Sequence, residues 1–281
     1  MLHRMSCTTE SSEGGAINTK LNISLATSAA CLLMAATSAL ALTNASVYDL
    51  RSIGAEATVN GALFVQDTSD PTGTGYVDPF LRLANNPIEE AFNTDYRSGG
   101  QAPLDAKSDP NYTHSLLLSD LATVNRNGTD YYCFSLDLDE PNSGVFRYLS
   151  LDELRLYTAD TGSIATLADL QSQGSLQWDM DGGGNSTIYL DGAISPGNGA
   201  DDMRVYVPTS AFAGVDPSRY LYLYSKFGAT SGMQADNFDA NASFEEWSAV
   251  RTTSTAAEPG VLGLLGMGLL GMVAARRRRR G

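Results

Sequence analysis

From residue 57 to residue 250 the chain is a succession of short apolar and aromatic runs, each cut off by Gly, Pro, Asn, Asp or Ser. The runs are 57–65, 131–139, 147–151, 153–157, 175–178, 186–190, 203–207, 220–224 and 244–247. Several alternate with a period of two, the mark of a half-buried strand. Turn-forming clusters at 140–144, 181–185 and 195–199 separate them. Long helical patterns are scarce, and short helices are expected only at 87–92 and 166–171. Strands of this length and punctuation predict a mainly β fold, an antiparallel β-sandwich or jelly roll. The stretch 66–112, rich in Asp, Pro, Gly and Asn, reads as a decorated insertion between strands. No period of 20–50 residues recurs, which excludes a solenoid or propeller.

Composition sharpens this once the ends are set aside. The 281 residues carry a formal charge of −14. The span 42–257 holds 11 Lys and Arg against 29 Asp and Glu, a charge of −18, and all 24 aromatic residues. That is enough chain for one domain with a real core. So many aromatic residues argue against disorder despite the charge. A surface this acidic repels phosphates, which excludes a nucleic-acid partner. The span has one cysteine, Cys133, and one histidine, His114. It can form neither an internal disulfide nor a His/Cys zinc cluster.

Both ends read as targeting segments. Lys20 precedes the apolar run 21–36, and Ala39 and Ala41 follow among small residues. A basic start, an apolar stretch and an A-x-A cleavage site define a signal peptide over 1–41. The ectodomain is then 42–250 and a small, polar linker covers 251–257. At the other end stand Glu258, Pro259 and Gly260, an uncharged stretch over 260–275, and Arg276, Arg277, Arg278, Arg279 and Arg280. As a helix, 260–275 reaches about 24 Å against a hydrocarbon core of about 30 Å. It is expected to be a single, short C-terminal transmembrane helix. The arginines would hold the cytoplasmic side and leave the acidic domain outside.

The order Glu258-Pro259, Gly/Leu-rich segment, Arg cluster resembles the PEP-CTERM sorting tail. Ala257 stands where the first proline of a full Pro-Glu-Pro would be. The resemblance covers about the last 25 residues. It implies transient residence in the inner membrane, processing by an exosortase-type transpeptidase, and delivery to the cell surface or extracellular matrix. It also implies exopolysaccharide as a partner. Segments 73–82, 113–118 and 244–247 resemble a group of exported PEP-CTERM ectodomains of undefined role. That resemblance implies no activity and no catalytic residue.

Candidate chemistry is sparse. A Ser/His/Asp triad would have to use His114, and no Gly-x-Ser-x-Gly elbow accompanies it. Cys133 lies among aromatic and acidic neighbours, the wrong setting for a reactive thiol. Glu89-Glu90 and Glu245-Glu246 are adjacent pairs, and in a strand such neighbours point to opposite faces, so neither makes a dyad. Acidic sites assembled from separate strands stay open. No motif indicates a cofactor, and calcium is the one candidate. Asp179, Asp181 and Asn185 offer hard oxygen ligands at alternate positions of a turn. The EF-hand pattern fails, because Gly183 and Leu190 occupy positions that need ligands. Tyr220, Tyr222 and Tyr224 share one strand face and Leu221 and Leu223 the other. The leucines are expected in the core and the tyrosines outside, as cross-strand support or as a sugar-stacking surface. The resulting expectation is a non-enzymatic surface protein, with a carbohydrate-binding module or a carboxylate-dependent hydrolase as rivals.

Overall fold

The first described strand, β1 (Ser46–Asp49), leads into a tight hairpin of β2 (Glu56–Val59) and β3 (Ala62–Gln66). The turn is Asn60-Gly61, with φ of 43° and 81°. Two consecutive positive φ values are what a two-residue hairpin turn requires, and Asn-Gly supplies them. The run 57–65 is therefore two strands and not the single strand expected from its apolar content. The computed structural model describes residues 46–66, 77–141, 143–195, 201–229, 238–241 and 243–252. The expected signal peptide, with Ala39 and Ala41, and the sorting tail from Glu258 to Arg280 lie outside these residues. Among the described residues no helix is long and apolar enough to cross a membrane.

The chain continues through β4 (Val77–Leu83), β5 (Glu89–Phe92), β6 (Leu116–Leu117), β7 (Thr123–Arg126) and β8 (Thr129–Leu138). Then follow β9 (Tyr148–Ala159), the helix α1 (Leu167–Gln173), β10 (Ser175–Asp179) and β11 (Ser186–Asp191). The last strands are β12 (Met203–Pro208), β13 (Tyr220–Phe227) and β14 (Glu245–Val250). They form two seven-stranded sheets. One has the order β2-β3-β12-β8-β14-β4, with β7 also on β8, and is antiparallel throughout. The other has the order β1-β11-β9-β13-β5, with β10 on β9 and β6 on β13. In this second sheet β1 runs parallel to β11. The expectation of a purely antiparallel fold fails at this edge. The crossover that a parallel pair needs is the long stretch 50–185, which carries β2 to β10.

Two further expectations change. The segment 87–92 is not a helix. Glu89–Phe92 pairs antiparallel with β13, because that partner outweighs the helix propensity of Glu-Glu-Ala. The runs 147–151 and 153–157 are one strand, β9, in which Asp152 is buried rather than a break. Its carboxylate accepts from Ser150 Oγ (2.8 Å) and Ala229 N (2.7 Å). The helix expected at 166–171 is present as α1. Thr166 caps it, its hydroxyl accepting from Asp169 N at 3.0 Å.

The core lies between the sheets, built from inward residues of both, including Phe64, Phe80, Phe134, Leu156, Phe227 and Trp247. A second apolar cluster covers the outer face of the mixed sheet. There Phe92, Tyr157, Tyr222 and Tyr224 pack under Ile164 and Leu170. Tyr222 and Tyr224 are as buried as Leu221 and Leu223. β13 is thus covered on both faces, and its tyrosines are not the exposed ladder the alternation suggests.

Candidate functional site

The register of the antiparallel sheet places Glu246 of β14 opposite Arg82 of β4 on one side and Asp137 of β8 on the other. The three side chains form one row on three neighbouring strands. Arg82 Nε donates to Glu246 Oε1. The row lines a small cleft of about 50 Å³ with Asp139 and Phe244. Tyr112 and Phe244 flank Arg82, with ring centres 3.3 and 4.9 Å from its guanidinium carbon. Lys107 Nζ lies 5.9 Å from the Phe244 ring. Phe244 is 41 % exposed, so a large aromatic side chain meets solvent beside three carboxylates.

Behind the cleft, β4 is bonded to the 113–114 segment. Arg82 N donates to Thr113 Oγ1 at 3.2 Å, and His114 N donates to Phe80 O at 3.0 Å. Arg82 and Phe244 escaped attention in the sequence because each is one residue in its own segment. The alternation of Glu245 and Glu246 was the available signal: one acid had to face out.

Glu245 faces in, and it does not stand alone there. It belongs to the antiparallel sheet, while Glu89 comes from β5 of the other. Their carboxyls come together in the interior: Asn85 N, which donates to Glu89, lies two residues beyond Leu83, the β4 partner of Glu245. Burial pushes both above the usual carboxylate range, Glu245 furthest because Glu89, Glu140 and Asp139 surround it with like charge. Glu89 Oε2 accepts from Asn85 N at 3.0 Å. Among the described residues, Glu89 Oε1 and both oxygens of Glu245 are buried without a hydrogen-bond partner. Glu140 lies close by, pushed up to about 7 by burial although Asn241 Nδ2 donates to it at 2.9 Å. Asp202 is a further buried acid, pushed up to about 8 by burial and by Asp137, Asp201 and Asp191. Its Oδ2 accepts from Leu138 N at 2.8 Å.

The expected calcium ligands lie elsewhere. Asp179 caps a 3₁₀ turn over Met180–Gly183. Its Oδ1 accepts from Asp181 N (2.9 Å) and its Oδ2 from Arg155 Nε (3.1 Å). Asp181 Oδ1 accepts from Ser186 N at 2.8 Å, and Asn185 is exposed. These carboxylates close their own turn. Among the described residues no group of three or more His, Cys, Asp or Glu side chains is placed to hold a metal ion.

The other sequence candidates have structural surroundings. His114 Nδ1 meets Ser115 O at 2.8 Å, and its Nε2 lies 3.4 Å from Arg251. Cys133 is buried in β8. Tyr222 Oη accepts from Ile164 N (3.2 Å) and donates to Thr161 O (2.7 Å). Tyr224 Oη donates to Glu90. Comparison of the chain with protein-family models, curated proteins and solved structures returns no match.

Proposed function

We propose that this chain is an exported cell-surface or extracellular-matrix protein with a non-enzymatic interaction role. Its signal peptide takes it across the inner membrane. Its PEP-CTERM-like tail (Glu258, Pro259, Gly260 and the Arg276–Arg280 cluster) tethers it there until an exosortase-type transpeptidase processes it. The two sheets are read as a jelly-roll-type ectodomain that presents the Arg82 cleft to exopolysaccharide.

The cleft is the observation that supports this reading. A sugar offers an apolar C–H face and a ring of hydroxyls. Phe244 supplies a ring for the first. Glu246, Asp137 and Asp139 accept from hydroxyls, and the guanidinium donates in its plane. The domain's high negative charge favours a neutral glycan over an anionic one.

Two measurements test the proposal. The intact mass of the protein from its native cells, with its cell fraction, tests sorting. A chain ending near Ala257 or Glu258 in the matrix supports it, and a chain retaining Arg276–Arg280 in the inner membrane overturns it. Calorimetric titration with exopolysaccharide purified from the same cells tests the cleft. Saturable binding that falls at least tenfold in Phe244→Ala supports the glycan reading. Binding unchanged in that variant overturns the assignment to this cleft. Release of reducing ends overturns the non-enzymatic role.

A further inference from the structure

We propose that Glu89 and Glu245 form a proton-held clasp between the two sheets, closed while they share a proton and forced apart when both ionise. The clasp makes the cleft on the opposite face of β14 responsive to pH. It stands apart from the glycan reading, since it needs no ligand.

The argument begins with position. Glu89 opens β5, opposite Phe227 of the mixed sheet. Glu245 opens β14, opposite Leu83 and Leu138 of the antiparallel sheet. Both are buried, at 0 and 1 % exposure. One bridging proton gives the pair a single negative charge and a hydrogen bond across the sheet interface. Loss of that proton leaves two like charges in contact without water.

The surroundings offer little relief. Glu140 and Asp139, at the end of β8, and Asp105, in the 93–115 connection, all add negative charge. Lys107 is a cation that bears on Glu89, and its ammonium donates to Ala84 O at 2.8 Å. Asn85 N donates to Glu89 Oε2 and Asn241 Nδ2 to Glu140 Oε2, and among the described residues both oxygens of Glu245 are left without a donor. Ionisation of the pair must therefore be met by separation of β5 from β14 or by entry of water.

The coupling to the cleft follows from strand geometry. Glu245 and Glu246 are successive residues on opposite faces of β14. The strand that carries the clasp inside carries the Arg82 partner outside, and a shift of its first residues moves Glu246 against Arg82 and Asp137.

The test uses the full chain in detergent micelles with chelator, melted at intervals from pH 5 to pH 9 beside Glu245→Gln. An amide cannot ionise, so the variant lacks the titration. The wild type is expected to lose about 3–6 °C more per pH unit than Glu245→Gln over the clasp's titration. Amide hydrogen exchange in β5 and β14, corrected for intrinsic rates, is expected to quicken at pH 8–9 in the wild type alone. Parallel pH profiles for the two proteins overturn the proposal. So does recovery of the wild type at pH 8–9 on addition of calcium chloride, which would make the pair a metal ligand. Should Glu245→Gln not fold, Glu89→Gln carries the same comparison.

Discussion

Trp247 Nε1 donates a 3.0 Å hydrogen bond to Ser225 Oγ, and both side chains are fully buried. Trp247 belongs to β14 of the antiparallel sheet and Ser225 to β13 of the mixed one, so the bond crosses the core. Ser225→Ala removes the indole's partner and leaves an N–H in an apolar interior. The expected loss is about 1–3 kcal/mol of unfolding free energy. Urea denaturation checks this, with the midpoint falling and the slope unchanged.

Tyr222 separates support from recognition. Tyr222→Phe strips the acceptor from Ile164 N and the donor from Thr161 O. It should lower stability by about 1–2 kcal/mol and leave glycan titration untouched, because the ring is under Ile164 and not on the surface. A variant with normal stability and impaired glycan binding would return β13 to the role of a binding surface.

Gly228 follows β13 with φ +79°, and a Cβ there would lie 2.2 Å from Pro87 O and 3.0 Å from Ala240 N. Both contacts are backbone, which cannot swing aside. Gly228→Ala combines left-handed strain with overpacking, about 2–5 kcal/mol together. Gly214, with φ +80° and open space around it, is the control. Gly214→Ala should cost about 1–2 kcal/mol, the conformational part alone. Equal losses in the two variants would contradict the close approach at Pro87.

Asp202 gives the sign of a pH effect. Its carboxyl stays protonated in the folded protein up to about 8, whereas in the unfolded chain it ionises near 4. Between those values the folded state binds the extra proton, so its contribution to stability falls as pH rises, by about 1.4 kcal/mol per pH unit. Glu140, pushed up to about 7, acts in the same direction over the lower part of that window. Asp202→Asn should melt closer to the wild type at pH 5 and gain on it steadily toward pH 8. A difference between the two proteins that stays constant over that interval would show the acid already ionised in the folded protein.

How much of this was legible varies residue by residue. Strand-forming runs showed themselves because period-two alternation is a local property, as in β8. Thr166 announced α1 because a cap acts within one turn. The Asn60-Gly61 turn was equally local and was overlooked inside an apolar run. The strand character of Glu89–Phe92 was not local at all, since β13 supplies its hydrogen bonds. The tyrosines of β13 alternate as an outer face should, yet α1 and the 160–166 segment cover them.

By itself the sequence determined the mainly β class and the net acidic charge, for these follow from local periodicity and summed charge. Only the tertiary structure decided that Glu246 meets Arg82 and Asp137 outside while Glu245 meets Glu89 inside. Those contacts join strands far apart in the chain. Register and sheet order set which side chains become neighbours, and burial then sets what each carboxylate can do.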